Sequence, residues 1–394
     1  MTCAVPAGQS AEVRTERFYL PELDILRFLA FFAVFVFHAP PGSLFFYLQH
    51  GALGGFGDAG GFGVDLFFTL SGYLITRLLL RERETTGHIN LRAFYMRRIL
   101  RIWPLYFFYI AFALSLSQLP PRLTSVPLFG QVRVPADPTC LLFLGCFLFN
   151  FAPCVGNITV VAHLWSISLE EQFYLVWSLT MRYIPRRRML VAPLVMLVIA
   201  TIARLPSSFL RFGVPIWNNS FARLDPIAIG IFIAVLPEMS PRPAGRALLV
   251  LAGIASWWLA AYWCGLPLQH SAAGVLIGYP LVALGSGAFL LAALGAARRS
   301  VGTGLRGALI YLGKISYGLY VYNFVAIFGA QVFMRRAVAA WWVTQGWPLW
   351  TAWAVYIALA FGANVALAAA SYRWLEAPFL RLKGRFTAIS SRPV

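Results

Sequence analysis

The sequence predicts an all-α polytopic transmembrane bundle, and three observations carry that prediction. Of 394 residues, 60% are apolar and only 12% are charged, with a mean hydropathy of +0.72, far from a soluble domain. Apolar runs recur along the whole chain, which argues against a soluble enzyme with a single anchor. The basic residues fall in short segments between those runs, as in a protein that keeps positive loops inside. The net charge of +18 therefore speaks for membrane topology rather than for nucleic-acid binding.

Taken in order, the candidate spans lie near residues 23–39, 62–79, 102–118, 140–153, 164–181, 189–203, 221–236, 247–264, 275–295, 308–330 and 349–372. The fourth is short against the roughly 20 apolar residues a crossing helix needs. With that segment left out and the N-terminus inside, the inner segments carry 23 Lys and Arg and the outer ones 6. Letting it cross would move Arg186, Arg187 and Arg188 outside and spoil the bias. The expectation is about ten spans with both termini cytoplasmic, in the inner (cytoplasmic) membrane. Residues 1–20 and 383–394 are then tails, and 21–382 one membrane domain. Residues 1–22 lack the apolar core of a signal peptide, so the first span is expected to direct insertion.

Four blocks carry ionisable groups into this apolar background. The first span begins Leu23-Asp24-Ile25-Leu26-Arg27 and ends at His38. As a helix it places His38 roughly 20 Å beyond Asp24, at membrane depth. Intramembrane ionisable groups are functional candidates by default, although Asp24 and Arg27, three apart, can also pair to lower the cost of burial. The second span holds Asp65 and Ser71. Arg97, Arg98 and Arg101 lead into the third, and Arg98 and Arg101 share a face if that run is helical. Trp165 precedes Glu170 and Glu171, which diverge by about 100° on a helix and cannot both reach one point from one face. Trp103, Trp217, Trp341, Trp342 and Trp347 stand near span ends, where interface belts account for most tryptophans. The five cysteines show no metal-ligand spacing, so no metal site is expected; Cys140 and Cys154 flank the non-crossing segment on the outer side and could pair.

In this order the blocks resemble the integral-membrane acyltransferase 3 family of O-acyltransferases. The resemblance rests on Leu23-Asp24-Ile25-Leu26-Arg27 with His38, and on Gly63-Val64-Asp65-Leu66-Phe67-Phe68-Thr69-Leu70-Ser71-Gly72. It extends to Arg98 and Arg101, to Trp165-Ser166-Ile167-Ser168-Leu169-Glu170-Glu171-Gln172, to Arg223-Leu224-Asp225, to the block around Tyr317, and to Leu375-Glu376-Ala377-Pro378. It covers roughly residues 20–382. One departure is Asn323, where many members carry histidine after the tyrosine block.

The resemblance implies transfer of an acyl group, commonly acetyl from acetyl-CoA, to a hydroxyl of a carbohydrate or glycolipid, with acyl-CoA as co-substrate and no tightly bound cofactor. An O-acyl transfer needs a base, and His38 is the candidate, as base or as transient acyl carrier; the alternative is a hydrogen-bonded packing histidine. Glu170 and Glu171 are assigned to catalysis with it, one orienting a histidine or arginine and the other pairing structurally, and the sequence does not decide which. Arg98 and Arg101, with Arg27, are assigned to the phosphates of acyl-CoA, since arginine forks suit phosphate; otherwise they are topology anchors, as Arg97 is expected to be. Asp24, Asp65, Ser71, Trp165, Arg223, Asp225, Tyr317 and Glu376 are assigned to acceptor binding or to support of the site. Rival readings are acylation of a small metabolite such as a macrolide, and a transporter or flippase, which would also use intramembrane charges.

Overall fold

The computed structural model describes residues 19–38, 58–118, 125–126, 130–131, 134, 137–155, 160–206, 208–237, 241–296, 304–334, 344–345 and 349–386. Trp341, Trp342, Trp347 and most of the proline-rich segment 119–139 lie outside them. Helix dominates; a two-residue antiparallel pair, β1 (Ser125–Val126) with β2 (Gly130–Gln131), is the one exception among the described residues.

The helices begin and end where local chemistry asks them to. α1 (Pro21–Phe37) has Pro21 in its first turn, where a missing N–H costs nothing. α2 (Gly63–Thr86) stops at Gly87, whose φ of 78° suits only a residue without Cβ. α3 (Leu91–Ser117) starts with Asn90 accepting the Ala93 N–H at 3.0 Å, so the arginine run is helical rather than a loop before the span. α4 (Pro138–Gly145) is eight residues, about 12 Å long and far short of a membrane. Cys140 and Cys154, either side of its end, form a disulfide.

α5 (Trp165–Tyr183) carries the two glutamates. α6 (Val191–Arg204) and α7 (Leu224–Val235) are only 14 and 12 residues long. α8 (Pro243–Tyr262) and α9 (Tyr279–Leu294) follow as an adjacent pair. α10 (Leu305–Lys314) and α11 (Ser316–Phe333), expected as one straight span, are bent by 78° at Ile315. α12 (Leu349–Ser371) continues through a π-turn, Tyr372–Glu376, into α13 (Ala377–Leu382).

Among the described residues, five helical stretches are long and apolar enough to cross a membrane, or six if α10 and α11 count as one span. This is fewer than the ten expected. α6 and α7 are too short for a straight crossing, and Glu170, Glu171 and Arg182 interrupt the apolar character of α5.

α2 is the centre of the bundle. The apolar stretch around it is 72% buried within the protein, against 17% for α8, whose Leu248, Leu251 and Trp258 face outward as lipid-contacting side chains do. α2 and α7 cross closely because glycine meets backbone on both sides. A Cβ on Gly72 would strike the Ile227 carbonyl, and one on Gly230 would strike that of Thr69. α1, α5 and α11 pack around the same helix and its neighbours, which brings the charged blocks together.

Candidate active site

The bundle holds a cavity of about 100 Å³ lined by Arg27 from α1, Ser71 from α2, Arg98 and Arg101 from α3, Glu170 and Tyr174 from α5, and Tyr317 from α11. Five separate helices thus deliver residues expected from the sequence to one space. A second cavity, about 80 Å³, shares Arg27, Leu74, Arg98 and Arg101 with the first and is lined also by Tyr19, Asp24 and Lys383. The three guanidinium groups therefore line both chambers.

Within this site, Arg27 donates to Asp24 Oδ1 at 2.8 Å, the i, i+3 pair anticipated from spacing. Arg98 and Arg101 make no ion pair among the described residues. Arg98 instead lies over the rings of Phe94 (5.6 Å) and Tyr174 (5.4 Å), and its Nε is buried without a partner. Arg97, one turn before Arg101, pairs with Glu82 at 2.7 Å and donates to the Phe386 carbonyl, outside both cavities. One helical run has been split between two environments.

The glutamates are split as well. Glu170 lines the cavity and accepts a hydrogen bond from the Ser71 hydroxyl. Glu171 turns away and accepts from Trp103 Nε1 at 3.2 Å, with its other oxygen buried and unpartnered. Tyr317, exposed to the cavity by the bend at Ile315, donates its hydroxyl to the Ile102 carbonyl at 2.9 Å. Glu376 is buried beside Gly318 and accepts from Ser371 Oγ at 3.4 Å; it does not line the cavity.

At the other end of the cavity, Ser166 and Tyr320 join hydroxyls at 2.7 Å, and Tyr320 also donates to the His163 carbonyl at 3.2 Å. The His163 ring then packs on Phe324 (5.1 Å), and His38 packs on the same ring at 4.5 Å. His38 itself caps the C-terminus of α1 and contacts Asn323 Nδ2 through Nδ1 at 3.2 Å. His38 is thus not in the arginine cavity but beyond its far wall, about 16 Å along α1 from Arg27. His163, which opens the acidic block, escaped selection from sequence. It is 4% exposed, holds the Val321 carbonyl at 3.0 Å, and keeps Nδ1 buried without a partner. Its adjacency to Trp165 in the block was the available signal.

The remaining predicted residues form a separate cluster. Arg223 donates to Asp65 at 2.8 Å, and Arg204 holds Asp225 with two bonds, at 2.6 and 3.1 Å, all four buried. Trp217 covers the Arg223 guanidinium at 4.3 Å, and Tyr279 flanks both arginines at 5.2 Å. Arg204, expected in an outer loop, closes α6 as an interior residue because Asp225 compensates its burial. Trp165 stands edge-on to Phe68 (6.2 Å) and Trp217 (6.3 Å), behind the cavity wall rather than in it. Trp103 and Trp217 are interior partners of Glu171 and Arg223, not belt residues. Among the described residues no cluster suited to a metal ion occurs.

These features define a helical membrane protein whose polar site is a buried, arginine-lined cavity with a histidine beyond its far wall. Residues 20–369 match the family model of the acyltransferase domain, and the chain belongs to that family. Its relatives include the O-acetyltransferase OatA of Staphylococcus aureus strain NCTC 8325 / PS 47 and that of strain COL. Each is 32% identical over 176 residues, covering 43% of this chain and 26% of the relative. The chain thus matches about a quarter of the length of these relatives. No solved structure matches it.

Proposed function

We propose that this protein is an O-acyltransferase of the inner membrane, moving an acyl group, in the simplest case acetyl, from acyl-CoA to a hydroxyl of an extracytoplasmic carbohydrate or glycolipid. The observation that carries the reading is the convergence of Arg27, Arg98 and Arg101 on one cavity that also holds Ser71 and Glu170. Three guanidinium groups against the carboxylates of Asp24 and Glu170 leave surplus positive charge, which suits the phosphates of a coenzyme A donor. In this reading residues 21–382 form the acyltransferase domain between cytoplasmic tails 1–20 and 383–394, with ten crossings. The 23-to-6 bias of basic residues supports that topology. So does the Cys140–Cys154 disulfide, whose assigned side of the membrane is the oxidising one.

In this reading the arginines hold the donor's phosphates and the thioester end reaches His38, which lies outside the arginine cavity. Nε2 of His38 takes the proton of the acceptor hydroxyl as its oxygen attacks the thioester carbonyl. The carbon–sulfur bond breaks, and the coenzyme A thiolate recovers the proton from the imidazolium. Glu170 and Ser71 orient the arginine cluster, while Asp65, Arg223 and Asp225, with Arg204, hold the frame around the acceptor side.

The test is thiol release from acetyl-CoA by purified protein in nanodiscs, with a panel of mono- and oligosaccharides and, separately, a macrolide. Acceptor-dependent release that disappears in His38→Ala, with the variant normally inserted, supports the reading. No release with any acceptor, alongside transport of a solute by the same preparation, would replace it with a carrier function. Release with the macrolide alone would move the acceptor to small metabolites.

A further inference from the structure

We propose that Asn323 is the positioning residue of His38, its carboxamide oxygen accepting the imidazole Nδ1–H so that Nε2 faces the acceptor hydroxyl as a lone pair. The proposal rests on the reading of His38 as the base.

Asn323 lies inside α11, 1% exposed, with Nδ2 3.2 Å from His38 Nδ1 and Oδ1 buried without a partner. Its carboxamide therefore has one hydrogen-bonding contact among the described residues, and that contact is the histidine. Among the described residues the imidazole otherwise meets the Val34 backbone carbonyl, one turn back on α1, the Phe37 ring at 5.0 Å and the Phe324 ring at 4.5 Å. Of the titratable groups on neighbouring elements, His163 comes nearest through the shared Phe324 ring, and its Nε2 is engaged by the Val321 carbonyl. Among the described residues Asn323 is thus the polar side chain in hydrogen-bonding contact with the His38 ring.

Which end of the carboxamide faces the ring follows from what a base must become. A neutral imidazole can accept from Nδ2, but only as the tautomer whose Nε2 carries the hydrogen, and that tautomer has no lone pair to offer. Once a proton is taken up, both ring nitrogens are donors, and an amide N–H₂ facing Nδ1 would oppose it. Oδ1 satisfies both stages: it accepts from Nδ1–H in the neutral ring and holds the same bond in the imidazolium. A half-turn of the carboxamide exchanges its two ends, and it breaks no other hydrogen bond because Oδ1 has none to lose. This is the logic of a base oriented by a third group, here a neutral one. The position where relatives of the family often carry histidine is thereby occupied by a side chain that fixes a proton rather than exchanging it.

The test uses the full chain in nanodiscs, labelled with [15N]histidine, with His38→Gln identifying the His38 signals. The expected spectrum has His38 as the Nδ1–H tautomer in wild type and loses that preference in Asn323→Leu. In acetyl-CoA turnover, Asn323→Leu should lower kcat roughly tenfold to hundredfold, a part of the roughly 10²–10⁴ a positioned base contributes, and leave the donor KM within about twofold. Asn323→Asp, which keeps the acceptor oxygen, should retain the tautomer and most of kcat. A wild-type His38 in the Nε2–H form, or a tautomer indifferent to Asn323→Leu, overturns the proposal. If Asn323→Leu does not fold, Asn323→Asp decides: the Nε2–H form in that variant overturns it. Undiminished turnover by His38→Gln would instead overturn the base reading beneath it.

Discussion

The protein buries two clusters of arginine and carboxylate, and they are built on opposite principles. In one, Asp65 meets Arg223 and Asp225 meets Arg204, charge for charge, with Trp217 and Tyr279 closing over the guanidinium faces. In the other, Arg98 and Arg101 have no ion-pair partner among the described residues and surround open volume. Charges taken out of water are stable only when compensated, so the paired cluster is a fastening between α2, α6 and α7. The unpaired arginines keep a cost that a bound anion would remove. Residue type does not distinguish the two clusters; pairing and space do.

The largest effect should come from breaking the fastening. Asp225→Ala leaves Arg204 buried and uncompensated, which costs about 3–5 kcal/mol. Thermal unfolding in detergent should show a strongly lowered Tm or no folded protein, and Arg204→Met with Asp225→Leu together should restore much of the loss. A stable, fully active Asp225→Ala protein would move this cluster from fastening to solvent-accessible site.

Opening the arginine cluster should act on the donor instead. Losing one charge-assisted phosphate contact removes about 1.5–3 kcal/mol, so Arg98→Ala or Arg101→Ala should raise the donor KM roughly tenfold to hundredfold with the acceptor KM little changed. Lysine at either position should rescue only in part, since a point charge lacks the bidentate fork. Steady-state kinetics with acetyl-CoA varied at fixed acceptor gives the result, and a loss in kcat without a change in donor KM would break the comparison.

Smaller effects should follow from the boundary of the two environments. Residues 184–188 are assigned to the cytoplasmic side, so single cysteines introduced there should resist an impermeant maleimide applied to intact cells. Labelling from outside would remove the cytoplasmic assignment of the arginine cavity. Cys140→Ser should leave donor KM unchanged and lower stability modestly, because neither cysteine of the disulfide lines either arginine cavity.

Much of this division was legible in the sequence, but unevenly. The i, i+3 spacing of Asp24 and Arg27 gave their pair, and the 100° divergence of Glu170 and Glu171 gave their separation but not which of them faces the cavity and which meets Trp103. The separation of Arg97 from Arg98 and Arg101 did not follow from helical phase, because Arg97 and Arg101 are i, i+4 neighbours; Glu82 and the Phe386 carbonyl draw Arg97 away. What could not be seen was pairing across distant segments. Arg204 looked like a loop charge because its partner Asp225 lies 21 residues on, past an irregular stretch. The bend at Ile315 was hidden because apolar residues continue on both sides of Gly313 and Lys314, and only the packing of Gly313 onto the Asp24 backbone shows where the helix breaks. His163 was passed over although it opens the acidic block, because its place beside His38 is made through Phe324, a residue more than 160 positions on.

The most direct test of the contrast is binding of coenzyme A itself, free of turnover. Titration of coenzyme A into wild type, Arg98→Ala, Arg101→Ala and Arg97→Ala in nanodiscs, at fixed ionic strength, should show Kd raised roughly tenfold to hundredfold by the first two changes and within about threefold of wild type for the third. Equal losses in all three variants, or none in any, would contradict the claim that the unpaired arginines of the cavity are the donor site.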